Sequence, residues 1–136
     1  MKGIVVICLM VVTSSALAQN TLSVKINNIA STDGKVNVAV YNSDDTFLSF
    51  DKVLKTHSVS AHKGSVELTI ADLPAGEYAL AVFHDENDNG KLDTNWLGIP
   101  KEKVAFSNAK MKTFGPPKYK ECAFTVNSDY EIHIDF

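Results

Sequence analysis

A short polar run in the second half of the chain has the residue types of a cation site. Residues 84–93, HDENDNGKLD, place acidic and carboxamide side chains at alternate positions and turn on a glycine. This spacing matches the start of a calcium loop, D-x-[DN]-x-[DN]-G, because alternate side chains around a glycine-pivoted turn converge on one point. The predicted calcium ligands are the side chains of Asp85, Asn87, Asn89 and Asp93 and the backbone carbonyl of Lys91.

The calcium pattern is incomplete at its last position. Position twelve, where a bidentate glutamate normally completes the shell, is Trp96. A loop with only two formal charges is expected to bind calcium weakly, at about 10⁻⁴–10⁻³ M, unless a carboxylate from elsewhere joins it, with Glu102 the first choice. The same letters also predict an ion-free turn, since Asp-Asn-Gly favours positive φ at Asn89 and Gly90. Both interpretations stay open.

A catalytic interpretation has one candidate in the same run. His84 stands next to Asp85 and Glu86, which is the composition of a general-base dyad. The sequence contains neither a G-x-S-x-G nucleophile motif nor an oxyanion-type glycine cluster, and its other histidines lack zinc-site spacing. We therefore predict no enzyme activity and assign no catalytic residue. A hydrolase using His84 and Asp85 is the least favoured hypothesis.

Aromatic residues after the acidic run suggest a surface for a ligand. Four aromatic side chains lie between residues 96 and 119, interleaved with Asn, Gly and Pro. Aromatic rings beside amide groups suit a sugar or a peptide. The alternative is that these aromatics cover the end of the fold and anchor a long loop. The candidate residues of the ligand loop are His84, Trp96 and Asn108.

The elements that must position these residues are strands. Apolar and polar residues alternate with period two, and turn letters recur every 8–15 residues or so. No segment keeps a helical period. The pattern predicts an all-β fold, an antiparallel β-sandwich of about seven strands that is immunoglobulin-like or prealbumin-like. The predicted strand segments are residues 21–29, 34–42, 53–59, 65–73 and 76–84, followed by a C-terminal hairpin within 122–136.

One long segment interrupts this alternation. Residues 85–121 are rich in Asn, Gly, Pro and Lys and contain only a short apolar stretch. Long irregular segments are uncommon in compact domains and are often functional. We call residues 85–121 the excursion and expect any functional site to lie there.

The first 18 residues have the pattern of a secretory signal peptide. A lysine precedes an apolar run over residues 3–12, and an Ala-x-Ala pattern ends at Ala18. The apolar run is too short for a spanning helix, which needs about 20 residues. We predict cleavage after Ala18, export to the periplasm or the medium with no membrane insertion afterwards, and a single β-sandwich domain over residues 19–136.

Charge limits the classes of partner to be expected, and cysteine content limits the disulfides. Residues 19–136 contain 12 lysines, 16 acidic residues and no arginine. A net negative chain without arginine argues against nucleic acid and anionic membranes, so the expected partner is a protein, peptide or glycan of the cell envelope. Cys122 is the sole cysteine of this part, which excludes an intrachain disulfide. Its strand parity with Phe124 and Val126 predicts a buried, inert thiol.

The run LPAGEYALAVFHDENDNGKLDTNWLGIPKE, followed by FSN and GPPKYKECAF, resembles the bacterial domain-of-unknown-function family 2141. The resemblance covers the whole predicted mature chain and is most specific over residues 73–108. The sequence departs from the family pattern at Val104, where a glycine is usual. The resemblance implies a small exported β-sandwich and no reaction. The LPAGEY turn is also similar to turns of prealbumin-like and carboxypeptidase-regulatory-like modules.

Two functional hypotheses follow. The first is a non-enzymatic exported module whose acidic loop binds Ca²⁺ and which presents the excursion to a partner. The second is a carbohydrate- or peptide-binding accessory domain that uses the loop around Trp96.

Overall fold

The computed structural model describes residues 19–136, and the predicted signal peptide, residues 1–18, lies outside them. None of the helices in the described part is long and apolar enough to cross a membrane. The short helices are two 3₁₀ turns, Asp44–Thr46 and Phe50–Lys52, and α1, Tyr119–Cys122. The strands are β1 Gln19–Ile29, β2 Lys35–Tyr41, β3 Lys55–Ser60, β4 Gly64–Pro74, β5 Gly76–Asp85, β6 Val104–Phe106, β7 Phe124–Val126 and β8 Tyr130–Asp135.

The strands form two sheets, as the alternation predicts. One sheet has three strands in the order β4-β1-β8. The other has five: the order is β3-β2-β5-β6, and β7 pairs with the first residues of β5. Every pair is antiparallel except β1 with β8, which is parallel. The all-β sandwich is confirmed, with eight strands in residues 19–136 rather than about seven.

The core between the sheets is built by alternate residues of the facing strands. Leu22, Val24 and Ile26 of β1 are fully buried, whereas the residues between them are only half-buried. Each such aliphatic side chain contributes about 1.5–3 kcal/mol when it is removed from water. Branched residues suit this surface because their restricted χ1 matches the pleated strand. From the five-stranded sheet, the core receives Val36, Val38 and Val40 of β2, Leu80 and Val82 of β5, and Phe124 and Val126 of β7.

The predicted C-terminal hairpin is wrong. β7 pairs with β5 in one sheet, and β8 pairs with β1 in the other, so these consecutive strands do not pair with each other. The turn over residues 127–129 carries the chain across the sandwich. There the Asp129 carboxylate accepts the backbone N–H of Thr21 at 2.8 Å, which places the start of β8 beside β1. A tertiary contact therefore overrides the local hairpin pattern.

The outer face of the five-stranded sheet carries a second apolar cluster. Small residues of β2 and β5, Ala39, Ala79 and Ala81, leave space for a covering layer. That layer comes from the 3₁₀ turns, the excursion and α1, so residues 78–85 of β5 are buried on both faces. Cys122 is buried and free, which confirms the expected burial. Its neighbours, however, belong to this outer cluster rather than to the core that holds Phe124 and Val126.

Candidate functional site

The acidic loop begins with a buried carboxylate. Asp85, the last residue of β5, is only 1% exposed. Its Oδ1 accepts the backbone N–H of Asn89 at 3.1 Å, and its Oδ2 accepts that of Gly90 at 2.8 Å. Hydrogen bonds to an ionised acceptor are about twice as strong as neutral ones, which is how a burial of this kind is tolerated. Asp85 therefore fixes the turn from inside.

The next predicted ligands meet on Asp93. The Nδ2 of Asn87 donates to Asp93 Oδ2 at 2.6 Å, and the Nδ2 of Asn89 donates to Asp93 Oδ1 at 3.0 Å. The carboxamide oxygens face the backbone instead, because Asn87 Oδ1 accepts the N–H of Asn89 and Asn89 Oδ1 accepts that of Lys91. These side-chain hydrogen bonds account for the shape of the loop. A cation at this point would require both carboxamides to turn their oxygens toward it.

Glu102 lies at the same loop. Its Oε2 accepts the backbone N–H of Asp93 at 3.1 Å, and the Asp93 carbonyl accepts the N–H of Lys101 at 2.8 Å. The carboxylate named from the sequence as the first substitute for position twelve is therefore a neighbour of Asp93. Over residues 19–136, however, no group of three or more His, Cys, Asp or Glu side chains is arranged to hold a metal ion.

The backbone of the loop corrects one expectation. Positive φ occurs at Asp88 (52°) and Gly90 (74°), not at Asn89. Asp88 can occupy the left-handed region because a short polar side chain tolerates it, and the Asp85 carboxylate holds the N–H groups of both Asn89 and Gly90 after it. Asp88 also forms an ion pair with Lys35 at 3.0 Å on the surface.

The side chain of His84 points away from the predicted calcium ligands. Its ring is 1% exposed and lies on the inner face, where Nε2 is 2.8 Å from the carbonyl oxygen of Asp33. Within residues 19–136, Nδ1 has no hydrogen-bond partner and lies 3.7 Å from Glu86 Oε1. Because successive side chains of a strand point to opposite faces, Asp85 points away from His84. The residues suggested for a dyad therefore do not form one open site.

A large apolar groove lies on the outer face of the five-stranded sheet. Its volume is about 690 Å³, within the range of about 300–1,000 Å³ usual for ligand sites. Alanines 39 and 81 and Phe106 form the floor. Of the twenty lining residues, only Glu102, Lys112 and Thr113 carry polar side chains. The walls are Leu48 and Phe50 on one side and Leu92, Leu97, Ile99, Pro100, Met111, Phe114 and Pro116 on the other.

Two short turns of the excursion form the outer wall of the groove. A β-bridge between Thr94 and Pro100 closes the first, and one between Lys112 and Gly115 closes the second. The Asn95 carboxamide oxygen tightens the first turn by accepting two backbone N–H groups, those of residues 97 and 99. Each turn holds an aromatic ring in solvent. Trp96 is 90% exposed and Phe114 is fully exposed. We call them the two aromatic tips.

A second hollow is less suited to a ligand. It measures about 550 Å³ and lies beside the turn between β4 and β5. Turn residues 72–78 form most of its lining. Lys55 reaches into this region and donates from Nζ to the carbonyls of Ala71 at 3.0 Å and Asp72 at 3.3 Å. The polar lysine contacts contrast with the apolar groove.

The predicted ligand-loop residues do not come together. His84 is buried in the inner layer, and Trp96 stands at a tip beside the groove rather than in its lining. Asn108 has a structural contact, since its Nδ2 donates to the carbonyl of Ala123 at 3.0 Å. The groove instead uses the apolar neighbours Leu97 and Ile99. The sequence signal for the groove was this pair of large apolar residues in a turn-rich segment, where no strand pattern directs them into the core.

Ser107 is a second residue that the sequence reasoning missed. It is fully buried, its Oγ donates to the carbonyl of Cys122 at 2.6 Å, and it accepts the N–H of Leu80 at 2.9 Å. Ser107 thus ties the end of the excursion and α1 to the centre of β5. The sequence signal was a serine directly after the apolar residues Val104, Ala105 and Phe106, because a hydroxyl that such a segment carries into the interior needs partners.

The fold and this site define a class of molecule: an eight-stranded β-sandwich whose long excursion forms an extra layer and an apolar groove on one sheet. The chain belongs to domain-of-unknown-function family 2141, described as an uncharacterized protein conserved in bacteria, whose family model matches residues 24–134. No curated protein and no solved structure matches the chain significantly.

Proposed function

We propose that the protein is a non-enzymatic, exported binding module that holds the apolar part of a ligand in the excursion groove. The observation that carries this proposal is the groove itself, whose floor of alanines lies on a rigid sheet while large apolar side chains form its walls. A large exposed apolar patch lowers the solubility of a protein, and such patches therefore usually mark a site that binds a ligand, another protein or a membrane. The signal-like sequence of residues 1–18 supports export.

The groove composition favours an acyl chain. A bound peptide brings one N–H and one C=O per residue, and these need partners when they leave water. The groove offers three polar side chains, and two of them are occupied: Glu102 binds the N–H of Asp93, and Lys112 binds Glu121 at 2.6 Å. A sugar would need still more hydrogen bonds. An acyl chain needs none, and its burial is favourable by about 0.8 kcal/mol per CH₂.

Titration with a dansyl-labelled fatty acid tests the proposal. Trp96 is the single tryptophan and stands beside the groove, so its emission should be quenched by energy transfer as the probe binds. We expect saturable binding. Filling the floor with Ala81→Leu, or making the wall polar with Leu97→Asn and Ile99→Asn, should weaken it at least tenfold.

The matched control is Ala71→Leu, the same change at an exposed position of β4. It should leave probe binding unchanged. The wall variants alter exposed side chains and should keep the melting temperature, so they test the site even if Ala81→Leu destabilises the fold. Equal binding by all variants, or saturable binding of apolar peptides with none of the probe, would refute the acyl-binding proposal.

A second proposal is that a calcium ion stabilises the acidic loop. It is favoured by Glu102, whose Oε2 accepts the backbone N–H of Asp93 at 3.1 Å, so that this carboxylate lies next to the loop. Asp85, Asn87, Asn89, Asp93 and Glu102 would supply side-chain oxygens, and Lys91 would supply its carbonyl. Extracellular sites of low charge bind at about 10⁻⁴–10⁻³ M.

Thermal melting separates the calcium-bound loop from the ion-free turn. Millimolar CaCl₂ should raise the melting temperature, and Asp93→Asn should remove that rise. Asp88→Asn, an exposed acid outside the predicted ligand set, is the control and should keep it. A melting temperature that does not respond to calcium in the unaltered protein would leave the hydrogen bonds among the side chains as the whole explanation of the loop.

A further inference from the structure

The lysines of the chain are unevenly distributed. Residues 91–120 contain seven lysines and two acidic residues, a formal charge of +5. The remainder of residues 19–136 contains five lysines and fourteen acidic residues, a formal charge of −9. The net charge of the whole, which argued against an anionic partner, averages over these two regions. Residues 91–120, which form most of the excursion, are therefore basic, whereas the rest of residues 19–136 is acidic.

Several of these lysines are next in the chain to residues that line the groove. Lysines 91, 101, 103 and 110 are exposed, and each is adjacent in the chain to a residue that lines the groove. Lys112 lines it directly, although its charge is partly neutralised by Glu121. The acidic residues nearest in the chain are Asp93 and Glu102, and both are engaged by hydrogen bonds within the loop. These hydrogen bonds leave the two carboxylates charged, but the four exposed lysines outnumber them, so the rim of the groove keeps a net positive charge that favours anions.

The two aromatic tips stand on the same rim. Trp96 and Phe114 are held in water by turns that β-bridges close, and Leu97, Ile99 and Met111 beside them are also exposed. Because hydrogen bonds fix the backbone of the Trp96 turn, this exposure is built into the fold. Tryptophan is the side chain most suited to a membrane–water boundary, where one part of the ring is wet and the other is apolar.

We propose that the rim docks on the surface of an anionic lipid bilayer, with the two aromatic tips inserted at headgroup level and the lysines over the lipid phosphates. Exposed aromatic side chains with lysines nearby are typical of a peripheral membrane-binding face. On such a face, insertion of apolar groups and attraction to anionic lipids act together. The groove then opens toward the bilayer. Docking on the bilayer does not depend on the proposed function. Only the further step, in which the groove takes an acyl ligand from the bilayer, rests on it.

Vesicle binding by the purified protein tests the docking. We expect co-sedimentation with phosphatidylcholine vesicles that contain phosphatidylglycerol, little with phosphatidylcholine alone, and a blue shift of Trp96 emission on binding. High salt should release the protein, because the screening length falls from about 8 Å at physiological salt to about 3 Å at 1 M. Trp96→Ser with Phe114→Ser should abolish binding.

Two charge variants locate the contact. Lys101→Gln with Lys103→Gln should weaken vesicle partitioning about thirtyfold, the change given by about 1 kcal/mol per lysine near the surface. Lys25→Gln with Lys63→Gln changes the net charge equally but lies on β1 and in the turn before β4, and it should leave partitioning unaltered.

Equal loss in both lysine pairs, or equal binding to neutral and anionic vesicles, would overturn the proposal. A concentration-dependent dimer that Trp96→Ser with Phe114→Ser dissolves would assign the rim to a second copy of the chain instead. The groove is tested separately: Ala81→Leu should lose the soluble acyl probe while keeping vesicle binding. Probe binding without vesicle binding would therefore reject the docking and leave the proposed function standing.

Discussion

The two faces of the five-stranded sheet are built in different ways from the same strands. The inner face presents Val38, Leu80 and Val82 to the other sheet, with alternate large side chains filling the core. The outer face presents alanines, and an irregular layer covers them through polar contacts such as those of Asp85 and Ser107. The difference teaches that stability and the candidate site are carried by separate layers. Substitutions should therefore separate them.

The largest effect is expected on the inner face. Leu80→Ala removes a fully buried side chain from the core and should lower the free energy of unfolding by about 2–5 kcal/mol in urea titrations. Leu97→Ala makes the same chemical change on the groove wall, where the side chain is 61% exposed, and should cost less than about 0.5 kcal/mol. Equal losses would show that the wall belongs to the stability core.

The second effect concerns the contact between the turn before β2 and the end of β5. A Cβ at Gly34 would lie 1.9 Å from the Asp85 carbonyl oxygen, and the residue has φ of +65°. Gly34→Ala should therefore cost about 1–3 kcal/mol for overpacking and about 1–2 kcal/mol for the left-handed backbone. At Gly90, φ is +74° but nothing lies within 4 Å of an added Cβ. Gly90→Ala should show the backbone cost alone; urea midpoints that match for both variants would contradict the contact.

The third effect is local to the outer layer. Asp85→Asn leaves a buried amide where a carboxylate accepts two N–H groups, and it should cost about 1–3 kcal/mol. Asp88→Asn, which breaks only an exposed ion pair with Lys35, should cost about 0–1 kcal/mol. Hydrogen exchange distinguishes the layers: the Asn89 and Gly90 amides should exchange faster in the Asp85 variant, while the amides of β1, which pairs with β4 and β8 in the other sheet, stay protected. Faster exchange throughout the sheet would mean that the layers unfold together.

The sequence predicts the inner face better than the outer one, for a physical reason. Period-two alternation reports burial against another sheet, and it correctly located β1, β2, β4 and β5. The parallel pairing of β8 with β1 joins segments that are 108 residues apart in the chain, as the contact of Asp129 with Thr21 shows, and such a pairing has no local sequence pattern.

The site was predicted only in part for a similar reason. The acidic loop could be predicted from the sequence because its members lie within nine residues of one another. The structure does bring together Asp85, Asn87, Asn89 and Asp93. The groove could not be predicted from the sequence, because its floor on β2 and β5 and its walls come from segments that are distant in the chain and lie together only in the folded protein. Net charge does not describe the charge distribution, since the opposite charges of residues 91–120 and of the rest of residues 19–136 cancel in the sum.

The smallest effect measures how well the outer layer excludes water. Burial raises the pKa of the Cys122 thiol from 9.0 to about 11, with a smaller contribution from the nearby Glu121 charge. Between these two pKa values the Cys122 thiol is protonated in the folded state and ionised in the unfolded chain. Ionisation therefore favours the unfolded chain, so the free energy of unfolding is at its full value below about pH 9 and falls as the pH rises toward about 11. Cys122→Ala removes this titration while other groups titrate equally in both proteins. The difference in unfolding free energy between wild type and Cys122→Ala should therefore change across pH 9–11 and be constant below it. A constant difference throughout, together with rapid thiol labelling of the native protein at neutral pH, would show that the outer layer opens to water far more readily than the inter-sheet core, and that Ser107 and Asp85 do not hold it closed.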